Sequence, residues 1–119
     1  LEPNGSILID AYSLSAFKQR EEAATYEVNL LNGFWSPNKY YGFLNTFKYG
    51  EEKVLLDKYT IIESERTRQV YNWLQCFAPE KLEREFMEEG FSIENLYSNV
   101  AGAAYDRKSY EFAVIARRA

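Results

Sequence analysis

Residues 79–116, PEKLEREFMEEGFSIENLYSNVAGAAYDRKSYEFAVIA, predict one helix followed by two strands that need further strands beside them. Pro79 suits the first position of a helix, where no N–H partner is required. Leu82 and Phe86 are four residues apart, so both lie on one face of that helix. Gly90 can end the helix in the left-handed conformation. The last strand of the stretch is apolar on both faces, as expected at the centre of a covered sheet.

Upstream of this stretch, residues 26–77 repeat apolar side chains with a period of two, which predicts strands. Tight turns such as Gly50-Glu51-Glu52 separate the apolar runs. Four strands joined in this way form an antiparallel meander. The first of them is expected to start at Tyr26 and to include Leu30 and Phe34.

The amino-terminal residues predict a strand that continues from a missing element. Leu1-Glu2-Pro3-Asn4-Gly5-Ser6 has the composition of a turn and leads into the apolar run Ile7-Leu8-Ile9-Asp10. We expect this run to be a short buried strand, followed by a short helix or loop over 13–24. We also expect the turn to follow a helix that precedes Leu1, so that the chain is the later part of a longer protein.

Composition limits the classes of partner. The 119 residues suit one domain, and the net charge of −4 with scattered Lys and Arg argues against nucleic-acid binding. No apolar run is long enough to cross a membrane. The single cysteine, Cys76, excludes an internal disulfide framework and fits the reducing cytoplasm.

Residues with catalytic or ligand-binding chemistry are scarce. The chain has no histidine, and none of its six glycines forms the G-x-G spacing of a nucleotide-binding loop. The carboxylates of Glu83, Glu85, Glu88 and Glu89 are expected on the solvated side of a helix, so no metal site is predicted. Aromatic residues are dense, at 17% of the chain. They either line a pocket or pack two layers together, and the sequence leaves both interpretations open.

Several segments, in order, resemble class I S-adenosylmethionine-dependent methyltransferases. Leu1 to Asp10 resembles the turn and fifth strand of that family, where Leu-x-Pro-Gly-Gly commonly precedes an apolar strand. Phe77-Ala78-Pro79-Glu80-Lys81-Leu82 and Glu89-Gly90-Phe91 look like its last helix and sixth strand. Tyr97, Tyr105-Asp106 and residues 111–117 look like its closing hairpin and seventh strand. One branch of the family, of the small-molecule type, has an antiparallel insertion, and two segments of this chain resemble it: Gly33-Phe34-Trp35-Ser36 and Leu56-Asp57-Lys58-Tyr59-Thr60.

The resemblance implies an α/β fold, which becomes α+β in a portion of this length. Residues 1–119 would be the C-terminal part of a Rossmann-like methyltransferase sheet. Within it, residues 26–77 would be an inserted antiparallel β-meander that caps the active site. Residues 78–119 would supply the terminal helix and β-hairpin.

The function implied by the resemblance is substrate recognition in an enzyme that transfers a methyl group from S-adenosylmethionine to a small molecule. Residues after the fifth strand face the substrate in this family, so Tyr12 is the first candidate for substrate binding. Trp35, Tyr71 and Trp73 are candidates as cap residues, and no catalytic base is assigned. The family's Gly-rich loop and acidic cofactor residue are absent, so S-adenosylmethionine is expected to need the missing N-terminal half of the protein.

Two further functions fit the same sequence. The chain could be a non-catalytic β-rich module that binds a ligand through its aromatic residues. It could also be a dimerisation module, because half a sheet exposes a strand edge and an apolar face that a second copy would cover.

Overall fold

The computed structural model describes all residues 1–119 as seven strands and three helical segments. In chain order these are β1 (Ser6–Ser13), α1 (Leu14–Gln19), β2 (Ala23–Val28), α2 (Leu30–Gly33), β3 (Tyr41–Tyr49), β4 (Val54–Ile62), β5 (Thr67–Phe77), α3 (Pro79–Glu88), β6 (Phe91–Tyr97) and β7 (Glu111–Arg118). The chain divides into two compact units. The first unit is Leu1–Gln19 with Gln75–Ala119, and the second is Arg20–Leu74. No helix is both long and apolar enough to cross a lipid bilayer.

The first unit is built on a mixed sheet in which β1 lies between β7 and the end of β5. β7 is antiparallel to β1 from Ser6↔Arg117 to Tyr12↔Glu111. The end of β5 is parallel to β1, and β6 is antiparallel to the other edge of β7. The strands β1, β5 and β6 therefore run in one direction, and β7 runs against them. This arrangement is the mixed α/β sheet predicted from the sequence.

Helix α3 and strand β7 form the core of the first unit, as the sequence predicts. The buried side chains of Leu82, Phe112 and Val114 pack together. Pro79 occupies the start of α3. Gly90 follows its end with a left-handed φ of 84°. β7 is buried on both faces, which suits its central place in the sheet.

Strand β1 forms as expected, but its predicted burial is wrong. Ile7, Leu8 and Ile9 are all exposed, and Leu8 retains 52% of its accessible surface. β7 pairs along one edge of β1, whereas β5 meets the other edge only at Tyr12↔Cys76 and Ser13↔Phe77. The apolar residues of β1 suit a strand with neighbours along both edges, but in this structure only β7 pairs along its whole length.

In the second unit, β3 lies antiparallel between β2 and β4, and β5 lies beside β4, an order of strands that the predicted meander would have. Its first strand is shorter than predicted, because β2 ends at Val28. Asn29, Leu31 and Asn32 adopt left-handed backbone with φ of 52°, 62° and 54°. Asn tolerates this region better than most residues, since its short side chain can hydrogen-bond locally. The reversal takes Leu30 out of the strand pattern and into the core.

The two faces of the second unit's sheet differ. One face packs on a cluster formed by Leu30, Tyr40 and Ile61, with Trp35, Leu44 and Tyr59 around it. The other face, which we name the aromatic face, is exposed and carries Tyr26, Tyr41, Phe43, Phe47, Tyr49, Tyr71 and Trp73. Ring contacts link these residues across the strands, for example Tyr26 with Phe43 at 5.0 Å and Tyr49 with Trp73 at 5.6 Å between centroids.

Candidate functional site

A cleft of about 570 Å³ lies in the first unit at the carboxyl ends of its parallel strands. Three segments contribute to its wall: the residues after β1, the start of α3 after β5, and the connection that follows β6. The lining residues are Ser13, Leu14, Ser15, Lys18, Ala78, Pro79, Glu80, Tyr105, Arg107 and Lys108. Open α/β sheets bind ligands outside the carboxyl ends of their strands. The position of this cleft makes it the candidate functional site of the chain.

Two serine hydroxyl groups hold the wall of the cleft together. Ser13 Oγ lies 2.5 Å from the Ser109 carbonyl oxygen, to which it donates, and accepts the Ala16 N–H at 3.2 Å. Ser15 Oγ donates to the Lys108 carbonyl oxygen at 3.0 Å. These hydroxyls therefore fasten the β6–β7 connection to the start of α1, and Ser13 also caps that helix.

The β6–β7 connection is fixed by its own hydrogen bonds. Asn99 Oδ1 accepts the N–H groups of Ala101 and Ala103 at 3.0 and 3.2 Å. The Asp106 N–H donates to Ser98 Oγ at 2.7 Å, and Asp106 Oδ1 accepts the Lys108 N–H at 2.9 Å. The backbone around the cleft residues Arg107 and Lys108 is therefore ordered by local hydrogen bonds.

The charged side chains of the cleft are mainly positive. Lys18, Arg107 and Lys108 line it together with one carboxylate, that of Glu80. None of the three cations forms an ion pair with a carboxylate of the chain. The cleft thus offers positive charge that no internal partner neutralises.

Tyr12, the first sequence-predicted substrate residue, ends β1 directly before the cleft residue Ser13. Its ring meets that of Tyr110 edge to face, with 5.7 Å between centroids. The side chain is 39% exposed, so Tyr12 has surface left for a ligand beside the cleft.

Trp35 packs against the covered face of the second unit's sheet. Its ring lies 4.8 Å from that of Tyr59 and 5.0 Å from that of Phe34. The guanidinium of Arg68 lies 6.0 Å from its ring, and the same side chain donates a hydrogen bond to the Trp35 carbonyl oxygen. These contacts give Trp35 a packing role in the core cluster.

Tyr71 and Trp73 lie together on the aromatic face. They are two residues apart on β5, and both are exposed. Lys58 Nζ stands 5.9 Å from the Tyr71 ring. Because Lys58 and Tyr59 are consecutive in β4, the partners of Tyr71 and of Trp35 point to opposite faces. The structure therefore brings Tyr71 and Trp73 together but does not bring Trp35 to them.

The carboxyl group of Glu63, at the turn between β4 and β5, has a lowered pKa. Ser36 Oγ donates to Glu63 Oε2 at 3.0 Å, and this hydrogen bond is the main reason that the pKa of Glu63 is lowered. Hydrogen bonding and the positive charge of Arg66, with the charge of Arg68, lower the pKa further, and burial opposes them. The contacts of Glu63 with Ser36, Arg66 and Arg68 hold the segment that contains Trp35, so the role of Glu63 is structural.

Sequence reasoning did not identify the cationic residues of the cleft. Arg107 and Lys108 are adjacent, but Lys18 is about ninety residues away in the sequence, so no local pattern of charge brings the three together. One signal could have found them. Each follows the predicted end of a strand that runs parallel to the others, where ligands of such sheets bind.

Comparison with solved structures finds methyltransferases. The chain is similar to the CcbJ methyltransferase from Streptomyces caelestis, with a TM-score of 0.70 and 15% identity over 100% of this chain and 45% of that chain. It is similar to an S-adenosylmethionine-dependent methyltransferase from Clostridium acetobutylicum, with a TM-score of 0.72 and 7% identity over 99% and 46% of the two chains. It is also similar to the amino pentose methyltransferase CalS10 from Micromonospora echinaspora, with a TM-score of 0.54 and 12% identity over 100% of this chain and 46% of that chain.

These likenesses establish the fold. The chain has the fold of part of a Rossmann-like S-adenosylmethionine-dependent methyltransferase, which confirms the resemblance seen in the sequence. It spans about 45% of the length of the structures it matches, consistent with the C-terminal portion that we expected. No protein-family model matches the chain, and comparison with curated proteins finds no match.

Proposed function

We propose that this chain is the C-terminal, substrate-recognition part of a methyltransferase that uses S-adenosylmethionine and acts on a small molecule. One observation carries the proposal. The fold of essentially the whole chain matches less than half of each solved methyltransferase, so a protein of this fold has a large further part.

The surroundings of β1 support the same conclusion. A parallel sheet normally has both faces covered, and its strands are apolar for that reason. Ile7, Leu8 and Ile9 have the apolar pattern but are exposed. Further strands and helices beside β1 would bury them, and the N-terminal half of a methyltransferase would supply such elements.

The cleft in the first unit is proposed as the substrate side of the enzyme, with Tyr12 at its border. The chemistry of its side chains does not suit the cofactor. Three cations and one carboxylate disfavour a sulfonium cation, and the chain has no Gly-rich loop to approach a nucleotide. S-adenosylmethionine therefore belongs, in this proposal, to the N-terminal half.

Residues 26–77 are proposed as the cap over the substrate. Tyr71 and Trp73 have the exposed rings that contact with a substrate requires, whereas Trp35 supports the cap from the covered face. A cap of this kind would hold the substrate close to the methyl donor and exclude water, which are the main needs of a methyl transfer.

Cofactor binding tests the proposal directly. Isothermal titration with S-adenosylmethionine would compare the 119-residue chain with a longer protein that includes the residues encoded before Leu1. We expect binding by the longer protein and none by the 119-residue chain. Tight binding by the 119-residue chain, or none by the longer protein, would overturn the proposal.

A substitution on β1 tests the missing neighbours separately. Leu8→Asp should change the stability of the 119-residue chain little, because Leu8 is exposed in it. In the longer protein the same change should cost several kcal/mol, because a charge would be buried without a partner. Val100→Asp, at an exposed apolar residue of the same unit, serves as the control and should be mild in both proteins. An equally mild effect of Leu8→Asp in both proteins would contradict the role assigned to β1.

The aromatic face favours a second function, in which two copies of the chain associate. It is a contiguous exposed surface of aromatic rings, and such surfaces mark interaction sites. Homodimerisation through this face is an alternative to substrate contact by Tyr71 and Trp73, because a second copy would cover the same exposed rings.

Analytical ultracentrifugation would test the dimer. Trp73→Glu places a charge in the aromatic face and should convert a dimer into monomers. Phe34→Glu is the matched control, because Phe34 is 72% exposed and lies outside the aromatic face. A monomeric unsubstituted protein, or a dimer that survives Trp73→Glu, would rule this interface out.

A further inference from the structure

We propose that the cleft of the first unit binds a small molecule that carries a phosphate group on an apolar body. This proposal rests on the proposed function, because it names the chemical class of the molecule that the substrate cleft takes. All lining residues belong to this chain, so ligand binding can be tested separately from methyl transfer.

The charge of the cleft identifies the ligand as an anion. The whole chain carries 14 cationic and 18 acidic side chains, so a random patch should be slightly negative. The cleft instead has three cations, Lys18, Arg107 and Lys108, against the single carboxylate of Glu80. Three positive charges and one negative charge leave +2, which matches the dianion of a phosphate monoester better than a single carboxylate.

The cations are available to a ligand. None of the three is paired with a carboxylate, whereas Arg20, Arg66, Arg68 and Arg117 all are. Arg107 adds a planar fork of donors that fits two oxygens of one phosphate. Positive side chains gathered around a concave surface repel one another, and a bound anion relieves that repulsion.

The wall that carries these cations is already organised. Ser15 holds the Lys108 carbonyl oxygen, and Asp106 holds the Lys108 N–H. A ligand therefore orders side chains on a fixed backbone, which costs less free energy than ordering a loose loop.

The remaining lining indicates the rest of the ligand. Leu14, Pro79 and Tyr105 present apolar surface to the same cleft. Its volume of about 570 Å³ is within the usual range for small-molecule sites. A planar or apolar body beside the phosphate would use this surface, as in an aryl phosphate.

Three small molecules that share one aromatic ring but differ in charge can test how far the charge of the ligand determines binding. Phenyl phosphate, benzoate and phenol would be titrated into the 119-residue chain, with binding followed by NMR chemical shifts. We expect phenyl phosphate to bind most tightly and phenol least, with the largest shifts at Ser15, Arg107 and Lys108. Benzoate binding as tightly as phenyl phosphate, or no binding by phenyl phosphate, would overturn the proposal.

Charge-matched variants locate the site. Arg107→Gln should weaken phenyl phosphate binding about tenfold or more, because a hydrogen bond to a charged group is lost. Arg118→Gln removes the same charge from the far end of β7 and should leave the affinity within about twofold, since such distant charges are largely screened. Lys18→Gln, on a different element, gives a second independent loss. Equal affinities of the Arg107→Gln and Arg118→Gln variants, or an unchanged affinity of Lys18→Gln, would contradict the site.

Discussion

Gly42 in β3 should not tolerate even a methyl group. It pairs with Glu27 of β2 and Ile61 of β4, so its position is set from both sides. A Cβ atom added at Gly42 would lie 2.5 Å from Leu30 Cβ and 3.1 Å from Leu30 Cδ2. Carbon atoms pack at about 3.5–4.0 Å, so Gly42→Ala requires a separation of about 1 Å more than the structure allows.

The expected loss of stability depends on which atom the added Cβ would overlap. Leu30 Cβ moves only with its backbone, and that backbone is anchored. The Asn29 N–H donates to the Tyr40 carbonyl oxygen at 2.9 Å, and Asn29 Oδ1 accepts the Tyr40 N–H at 3.0 Å. Overpacking of a core costs about 1–3 kcal/mol, and an anchored backbone places this case near the upper end. The lower chain entropy of alanine in the unfolded state returns about 0.4–1 kcal/mol, which leaves a net loss of about 2 kcal/mol.

Urea denaturation followed by tryptophan fluorescence would measure this loss. Gly50→Ala is the matched control, because nothing lies within 4 Å of a Cβ there. The control should stay within about 1 kcal/mol of the unsubstituted protein. Introducing Gly42→Ala into a Leu30→Ala background should retain most of the penalty, since alanine keeps the Cβ atom. Unchanged stability of Gly42→Ala, or full relief by Leu30→Ala, would refute the reasoning.

Three further outcomes are expected. The lowered pKa of Glu63 stabilises the fold above its ordinary value of 4.5, and this contribution is lost as the pH falls through the folded-state pKa. Between pH 6 and about pH 3, the unfolding temperature of Glu63→Gln should therefore fall less steeply than that of the unsubstituted protein. Parallel curves of unfolding temperature against pH for the two proteins would contradict this. Phe112→Ala should lower the free energy of unfolding by about 3–5 kcal/mol, because Phe112 is fully buried. Phe34→Ala is the control and should lower it little, because Phe34 is exposed. Similar losses of unfolding free energy for the two variants in urea denaturation would contradict the burial of Phe112. Cys76, also buried, should react with a thiol reagent only when the protein unfolds, and fast labelling of the native protein would count against its burial.

Sequence reasoning succeeded where local chemistry and packing agree. Helix α3 has proline at its start, a left-handed glycine after its end and Leu82 toward the core, and the structure shows all three. Strand β7 was expected at the centre of a sheet because both faces are apolar, and it is buried on both. In each case a single segment was enough to predict the element and its buried side, because burial required only that the packing partners be apolar and not that they be known.

The same reasoning failed where backbone conformation overrode the apolar pattern. Leu30 and Phe34 continue the period of β2, which predicts that both belong to that strand. The left-handed residues Asn29 and Asn32 instead reverse the chain. Leu30 then packs into the core, and Phe34 turns outward. A period of two shows which residues are apolar, but it does not show where the strand stops.

The candidate site was only partly predictable, for a topological reason. Tyr12 was found because it ends a predicted strand. The cationic residues Lys18, Arg107 and Lys108 come together only when β1 and β6 run parallel and their ends meet at one edge. That juxtaposition depends on β7 running between them in the opposite direction. No window of sequence contains it.

Net charge and local charge lead to different conclusions about this protein. The value of −4 argues against a polyanionic partner, because a nucleic acid would contact a wide area and meet the acidic surface. A small anion in the cleft meets only nearby charges, since screening limits exposed charges to about 8–10 Å at moderate salt. Among the residues that line the cleft, the three cations outnumber the single carboxylate of Glu80. The same sequence can therefore argue against a nucleic-acid partner and still favour a phosphorylated small molecule.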